Sequence, residues 1–256
     1  MTDRILDTQI DGKDCIVSAR RTGDDPTQRI PKEYGIAAGP LAGERHIRGF
    51  AGGKVFVALV LAVWLALVVV LGTTRAFTVP PGTPPYPIAI AVMTPFAVFL
   101  AALWLSAGFR NFLASIDLPL IAAVQAWRWA GLGFVFLWAY GVLPGAFAWP
   151  AALGDMAIAL TAPWVALALA RRPGFATSTW FLAWNVLGIL DHVVAVSDAA
   201  INQSLASGPH AEVTVAPMAL LPLVLIPAFL VPLFDMLHLV ALLRVRWLSP
   251  RLGTAT

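Results

Sequence analysis

Lys54 and Arg75 bracket twenty uncharged residues, among them the run VFVALVLAVWLALVVVLG. A helix that crosses a bilayer needs about 20 mainly apolar residues, so this stretch predicts a first spanning helix over residues 55–74. The run TVPPGTPPYP follows, and its prolines predict a rigid extended loop. A second apolar stretch predicts a helix over 87–108, and GFRNFLASID then reads as a short amphipathic connector. Asp117 is placed to cap a third helix, with Pro119 in its first turn and its end near Tyr140. The two glycines and two prolines of GVLPGAFAWP predict a tight turn. A fourth helix is expected over 150–170, closed by Arg171, Arg172, Pro173 and Gly174. A fifth is expected over 177–196, then the polar loop SDAAINQSLASGPHAE, and a sixth over 216–243. The sixth carries Pro217, Pro222, Pro227 and Pro232 at intervals of five, which predicts a kinked or curved helix, or a hinge with exposed carbonyls.

Composition agrees with this pattern. The chain is 59% apolar and 12% charged, where a soluble domain carries about 25% charged residues. Its mean hydropathy is +0.79. The expected fold class is therefore all-α, a polytopic membrane helix bundle of about six transmembrane helices, with the lipid bilayer as its partner.

Charge placement gives an expected orientation. With the N-terminus inside, fifteen of the seventeen Lys/Arg residues fall on the inner side, Arg75 alone falls outside, and Arg128 lies in the third helix. The positive-inside rule then puts both termini in the cytoplasm, in the plasma (inner) membrane. Residues 1–49 hold eight basic and eight acidic residues and no early apolar core. They read as a polar, disordered cytoplasmic tail with no visible cleavable signal peptide. Residues 50–246 form the six-helix domain and 247–256 a short cytoplasmic tail. Cys15 is the only cysteine, so no disulfide within the chain and no thiolate metal cluster is available. A homo-oligomer is compatible with the pattern but not specified by it.

Candidate chemistry sits where charge is expensive. Arg128, Asp155, Asp191 and Asp235 lie within the predicted spans, and a charge inside a bilayer costs several kcal/mol unless it is paired or reaches water. At about 1.5 Å of rise per residue, Arg128 falls near mid-membrane and Asp155, Asp191 and His192 fall in the outer half. Asn185, Gly188 and His192 share a helix face, and Gln125 lies one turn from Arg128. This predicts a cluster of Arg128, Asp155, Asp191 and His192 with Asn185 and Gln125 beneath, and Arg128 paired with Asp155 or Asp191. Two readings stay open: a salt bridge that locks the bundle, or a site for a small solute, an ion or a proton. Asp235 and His238 form a secondary pair expected near the inner end of the sixth helix. It could relay protons, but it falls short of the three or four ligands a metal site needs. His192 and His238 are expected to differ in depth by more than about 10 Å, which disfavours a haem held by both.

The segments RWAGLGFVFLWAYGVLPGAFAWPAALGD, NVLGILD and PAFLVPLFDMLHLVALLR resemble those of an uncharacterised family of bacterial multi-pass membrane proteins. The resemblance spans roughly residues 119–246 and rests mainly on Arg128, Gly154-Asp155 and the stretch from Asn185 to Asp191. It implies the membrane architecture and no particular activity. The chain has no HExxH, Walker or GxSxG motif, and its mixed tail charges give no support for nucleic-acid binding. The sequence therefore calls for no cofactor and no metal, and points to a membrane protein that binds or translocates a small solute, ion or proton, the alternatives being a structural or accessory subunit with no transport activity or a membrane-embedded enzyme or redox protein.

Overall fold

A computed structural model describes residues 42–206 and 213–252. The tail expected over residues 1–49 lies mostly outside this range, as do Cys15, His210 and the last four residues. Residues 42–49 open the first helix, α1 (Ala42–Thr73). The fold is all-α among the described residues, and six helices are long and apolar enough to cross a membrane.

The second span is α2 (Tyr86–Leu105), followed by the amphipathic α3 (Ala107–Ser115). Ser106 starts α3 by accepting the Phe109 backbone N–H, and Arg110 donates from Nη1 to the Leu103 and Trp104 carbonyls at the end of α2. Both contacts satisfy groups that a helix end leaves free. The third span is composite: α4 (Leu118–Val124), a 3-10 segment (Gln125–Gly131) and α5 (Leu132–Ala139). Asp117 occupies the N-cap position without a capping bond from its side chain.

The fourth span, α6 (Gly145–Arg171), starts earlier than expected, because Pro150 is accommodated inside the helix and does not end it. The fifth, α7 (Thr179–Leu205), runs well past the expected end at 196. Its polar last turns are stabilised locally: Asn202 donates to the Asp198 carbonyl and carboxylate, and Ser204 to the Ala200 carbonyl. Polarity there marks emergence from the apolar layer and not the end of the helix.

The sixth span departs most from expectation. Residues 216–224 are not an α-helix. Pro217 lies in a 3-10 turn, Pro222 follows a cis peptide bond, and Pro227 lies in a π-turn (Ile226–Leu230). Regular α-helix begins with α8 (Val231–Leu252), which continues directly from the π-turn and carries Pro232 in its first turn. The proline series thus sets the start of the helix and does not kink its middle.

α6 packs along the whole third span and against α7, α7 packs against α8, and α2 packs against α8 and the π-turn. The last span is central, with 56% of its apolar stretch buried against 11% for each of the first two. Large apolar side chains such as Phe56, Val63, Ile90, Trp104 and Leu187 are exposed on the outside of the spans, a surface suited to lipid. Below the middle of the bundle, Ile121, Ala162, Phe181, Trp184 and Val240 pack as an apolar core. Above it, Phe134, Leu143, Phe147, Val215 and Met218 form a second cluster. Between the two lies a polar layer.

Candidate functional site

The polar layer is organised by the 3-10 segment. A 3-10 helix has three residues per turn, so side chains three apart eclipse one another. Gln125, Arg128 and Gly131 therefore stack in one line, and all three are buried. In an α-helix the same residues would fan out by about 60° per step. The segment aims them together at α6, α7 and α8.

Arg128 has no exposed side-chain surface and uses every nitrogen. Nε donates to Asp155 Oδ1 at 2.8 Å, Nη2 donates to Asp191 Oδ2, and Nη1 donates to the Gly188 carbonyl at 3.2 Å. Nη1 also lies 3.4 Å from His238 Nε2. An arginine only donates, so His238 accepts there and carries its proton on Nδ1. That proton is donated to Asn185 Oδ1 at 3.0 Å, and Asn185 Nδ2 donates to the Phe181 carbonyl at 2.8 Å. Trp184 meets the His238 ring edge-on at 5.2 Å and donates from Nε1 to Thr161 Oγ1 at 2.8 Å.

His192 joins two carboxylates. Its Nδ1 lies 2.6 Å from Asp235 Oδ1 and its Nε2 lies 3.6 Å from Asp155 Oδ1. Gln125 Nε2 donates to the Phe234 carbonyl at 3.2 Å, while Gln125 Oε1 is buried with no hydrogen-bond partner. Turning the amide round would set oxygen against oxygen, so this unsatisfied acceptor is a property of the site.

The structure thus brings Arg128, Asp155, Asp191, His192 and Asn185 into one network, with Gln125 bonded to α8 beside it. It also corrects the separate placement of Asp235 and His238. Both belong to the same layer, and His192 and His238 are not separated in depth as expected. The reason is the late start of the last span. Within Ile226–Trp247, Asp235 and His238 fall at the centre of the helix and not near its inner end.

Close approach of the helices is secured by three glycines. A β-carbon on Gly131 would meet Asp155, one on Gly154 would overlap the Asp191 carboxylate, and one on Gly188 would overlap the His238 ring. The third, fourth and fifth spans thus each offer a glycine to a polar side chain of the next. The Gly154-Asp155 dipeptide and the three-residue spacing of Gln125, Arg128 and Gly131 were visible signals of this. The use of the Gly188 and Phe234 carbonyls has no counterpart in the sequence.

Asp155, Asp191 and His192 offer ligand atoms within 4.8 Å of one another. The guanidinium of Arg128 already bridges the two carboxylates, so the cationic place between them is taken. Asp155 and Asp191 are the exposed edge of the network. They border a cavity of about 40 Å³ walled by Phe134, Phe147, Ala195, Met218 and Ile226. It is roomy enough for water.

Neither the curated proteins nor the solved structures contain a match to this chain. The family model described as a domain of unknown function, DUF8737, matches residues 85–246 and so takes in every residue of the polar layer. That match spans more than half of the sequence, and the chain belongs to this family.

Proposed function

We propose that the protein is a multi-pass transporter-like membrane protein whose Arg128 network binds and passes a proton, or a small solute or ion coupled to one. One observation carries this reading: a single guanidinium shares the buried layer with three carboxylates, Asp155, Asp191 and Asp235. With both imidazoles neutral the layer has an excess of two negative charges. Charges out of water need compensation, so protons or a cation are the natural complement.

His192 is the relay in this reading. Its ring links Asp155, which borders the cavity, to Asp235, which does not. A proton taken up at Asp155 can enter at Nε2 while Nδ1 releases one to Asp235. Gln125 Oε1 is an available acceptor on the far side. A second reading, a structural lock with no transport, is favoured by the complete burial and full pairing of Arg128.

Infrared difference spectroscopy on the purified protein separates the two. On the proton-site reading, a pH step produces a protonated-carboxyl band that Asp191→Asn or Asp235→Asn removes or shifts, with the melting temperature kept. The structural reading expects no such band and a lowered melting temperature in both variants. Absence of the band in the native protein at every pH overturns the proposed function.

The orientation is proposed with both termini in the cytoplasm of a bacterial cell, in the inner membrane, because only Arg75 among the basic residues then lies in an outer loop. Reporter fusions at residues 1 and 256 should both signal the cytoplasm. An external signal from either end overturns this arrangement.

A further inference from the structure

We propose that a second cavity, which shares Val196, Ala199 and Met218 with the one beside the aspartates, binds a single-chain anionic amphiphile, with its acyl chain inside and its carboxylate or phosphate on Arg75. The cavity holds about 320 Å³ and lies between the first loop, the start of α2, the end of α7 and residues 215–220. That volume is in the range of small-molecule sites, about 300–1,000 Å³. Its walls are apolar, among them Phe77, Ile88, Val196, Met218 and Leu220. Its polar lining is confined to Arg75, Thr78 and Gln203, at the level where α1 and α7 end. A greasy chamber with polar groups at one end and a lone positive charge among them selects a molecule built the same way.

Arg75 is held there against its backbone preference. It has φ of 57°, the left-handed region that side chains other than glycine seldom adopt. The cause is the closing turn of α1. Ala76 N–H donates to the Leu71 carbonyl at 3.0 Å and Arg75 N–H to the Gly72 carbonyl at 3.1 Å, the paired bonds of a Schellman motif. The third span closes with the same motif. Val142 N–H donates to Leu137 and Gly141 N–H to Trp138, at 2.8 and 2.9 Å. There the left-handed position, φ 69°, is a glycine, the residue the motif favours. At the cavity it is an arginine. Strain of this kind in a non-glycine residue is concentrated at functional sites.

The first loop is also fastened over the cavity. Gly82 N–H donates to the Gln203 carbonyl at 3.2 Å and Gln203 Nε2 donates to the Pro80 carbonyl at 3.4 Å. Thr78 Oγ1 donates to the Arg75 carbonyl at 2.8 Å. The chamber is thus a built feature and not a gap beside a loose loop.

The test uses the full chain in nanodiscs of phosphatidylcholine, with cis-parinaric acid as the fluorescent probe. Dodecanoate and dodecyl phosphate should displace it at least about tenfold better than dodecanol or dodecyltrimethylammonium, as expected for a charged hydrogen bond. Arg75→Gly keeps the turn and should abolish that preference for anions, while Arg75→Lys retains most of it. Ala200→Phe, which fills the chamber, should abolish displaceable binding altogether. Displacement by dodecyl phosphate and by added lysophosphatidylglycerol marks a single-chain phospholipid as the occupant, and displacement by dodecanoate alone marks a free fatty acid. No probe binding, equal displacement by dodecanol, or an unchanged preference in Arg75→Gly overturns the proposal. None of these outcomes touches the carboxyl band of the Arg128 network, so the two readings fail separately.

Discussion

Arg128→Ala is expected to destabilise the folded protein by about 3–5 kcal/mol, the usual result of removing one partner from a buried ion pair. The variant leaves Asp155 and Asp191 facing each other with no donor between them, and it strips the Gly188 carbonyl and His238 Nε2 of theirs. Melting in detergent, followed by circular dichroism, measures the loss. Replacing the whole triad by apolar residues, Arg128→Met with Asp155→Leu and Asp191→Leu, should recover much of it, since an apolar set of similar volume often equals a buried pair. If Arg128→Ala melts with the native protein, the guanidinium is not holding these helices.

Gly154→Ala is expected to be nearly as severe, although it adds one methyl group. The new β-carbon falls on the Asp191 carboxylate, which cannot swing aside because Arg128 holds it. Either α6 and α7 separate or the ion pair breaks. Overpacking alone costs about 1–3 kcal/mol, and loss of the Asp191 contact adds to it. In an Asp191→Ala background the added methyl should do little further harm. That non-additivity identifies the carboxylate as the obstacle. An equal loss in both backgrounds would falsify the assignment and place the clash elsewhere.

Much of the architecture was legible from the chain because bilayer solvation imposes a coarse rule, about 20 apolar residues per crossing. That rule finds spans and misplaces their ends. It lost α7 after Val196 because Asp198, Asn202 and Ser204 look like a loop until their bonds along the helix are seen. It lost the start of the last span because apolar residues 216–224 satisfy hydropathy with a 3-10 turn and bends in place of an α-helix. The second error propagated to the site. Counting depth from 216 pushed Asp235 and His238 inward, while counting from 226 places them beside Arg128. The pairing of Arg128 with an aspartate was readable because a lone intramembrane arginine demands it. That it holds both Asp155 and Asp191 depends on the 3-10 segment, whose three-residue spacing of Gln125, Arg128 and Gly131 is equally compatible with an α-helix face until the backbone is seen.

The irregular backbone of residues 215–224 has an electrical consequence. In hydrocarbon, backbone outside helices is tolerated only against protein or water, and here Met218 lines the cavity that borders Asp155 and Asp191. Below that layer lies the apolar core around Ile121, Phe181 and Val240. A membrane voltage falls mainly across whatever excludes water. If water fills the cavity beside Asp155 and Asp191, most of the drop is concentrated between the aspartates and the face of α3, over a fraction of the bilayer's thickness. With water in that cavity, a charge reaching Asp155 or Asp191 through it crosses little of the field, whereas one continuing through the core crosses nearly all of it, about 2.3 kcal/mol per elementary charge for each 100 mV. The asymmetry of packing makes the two halves of any such path electrically unequal: one half set by concentration, the other by voltage.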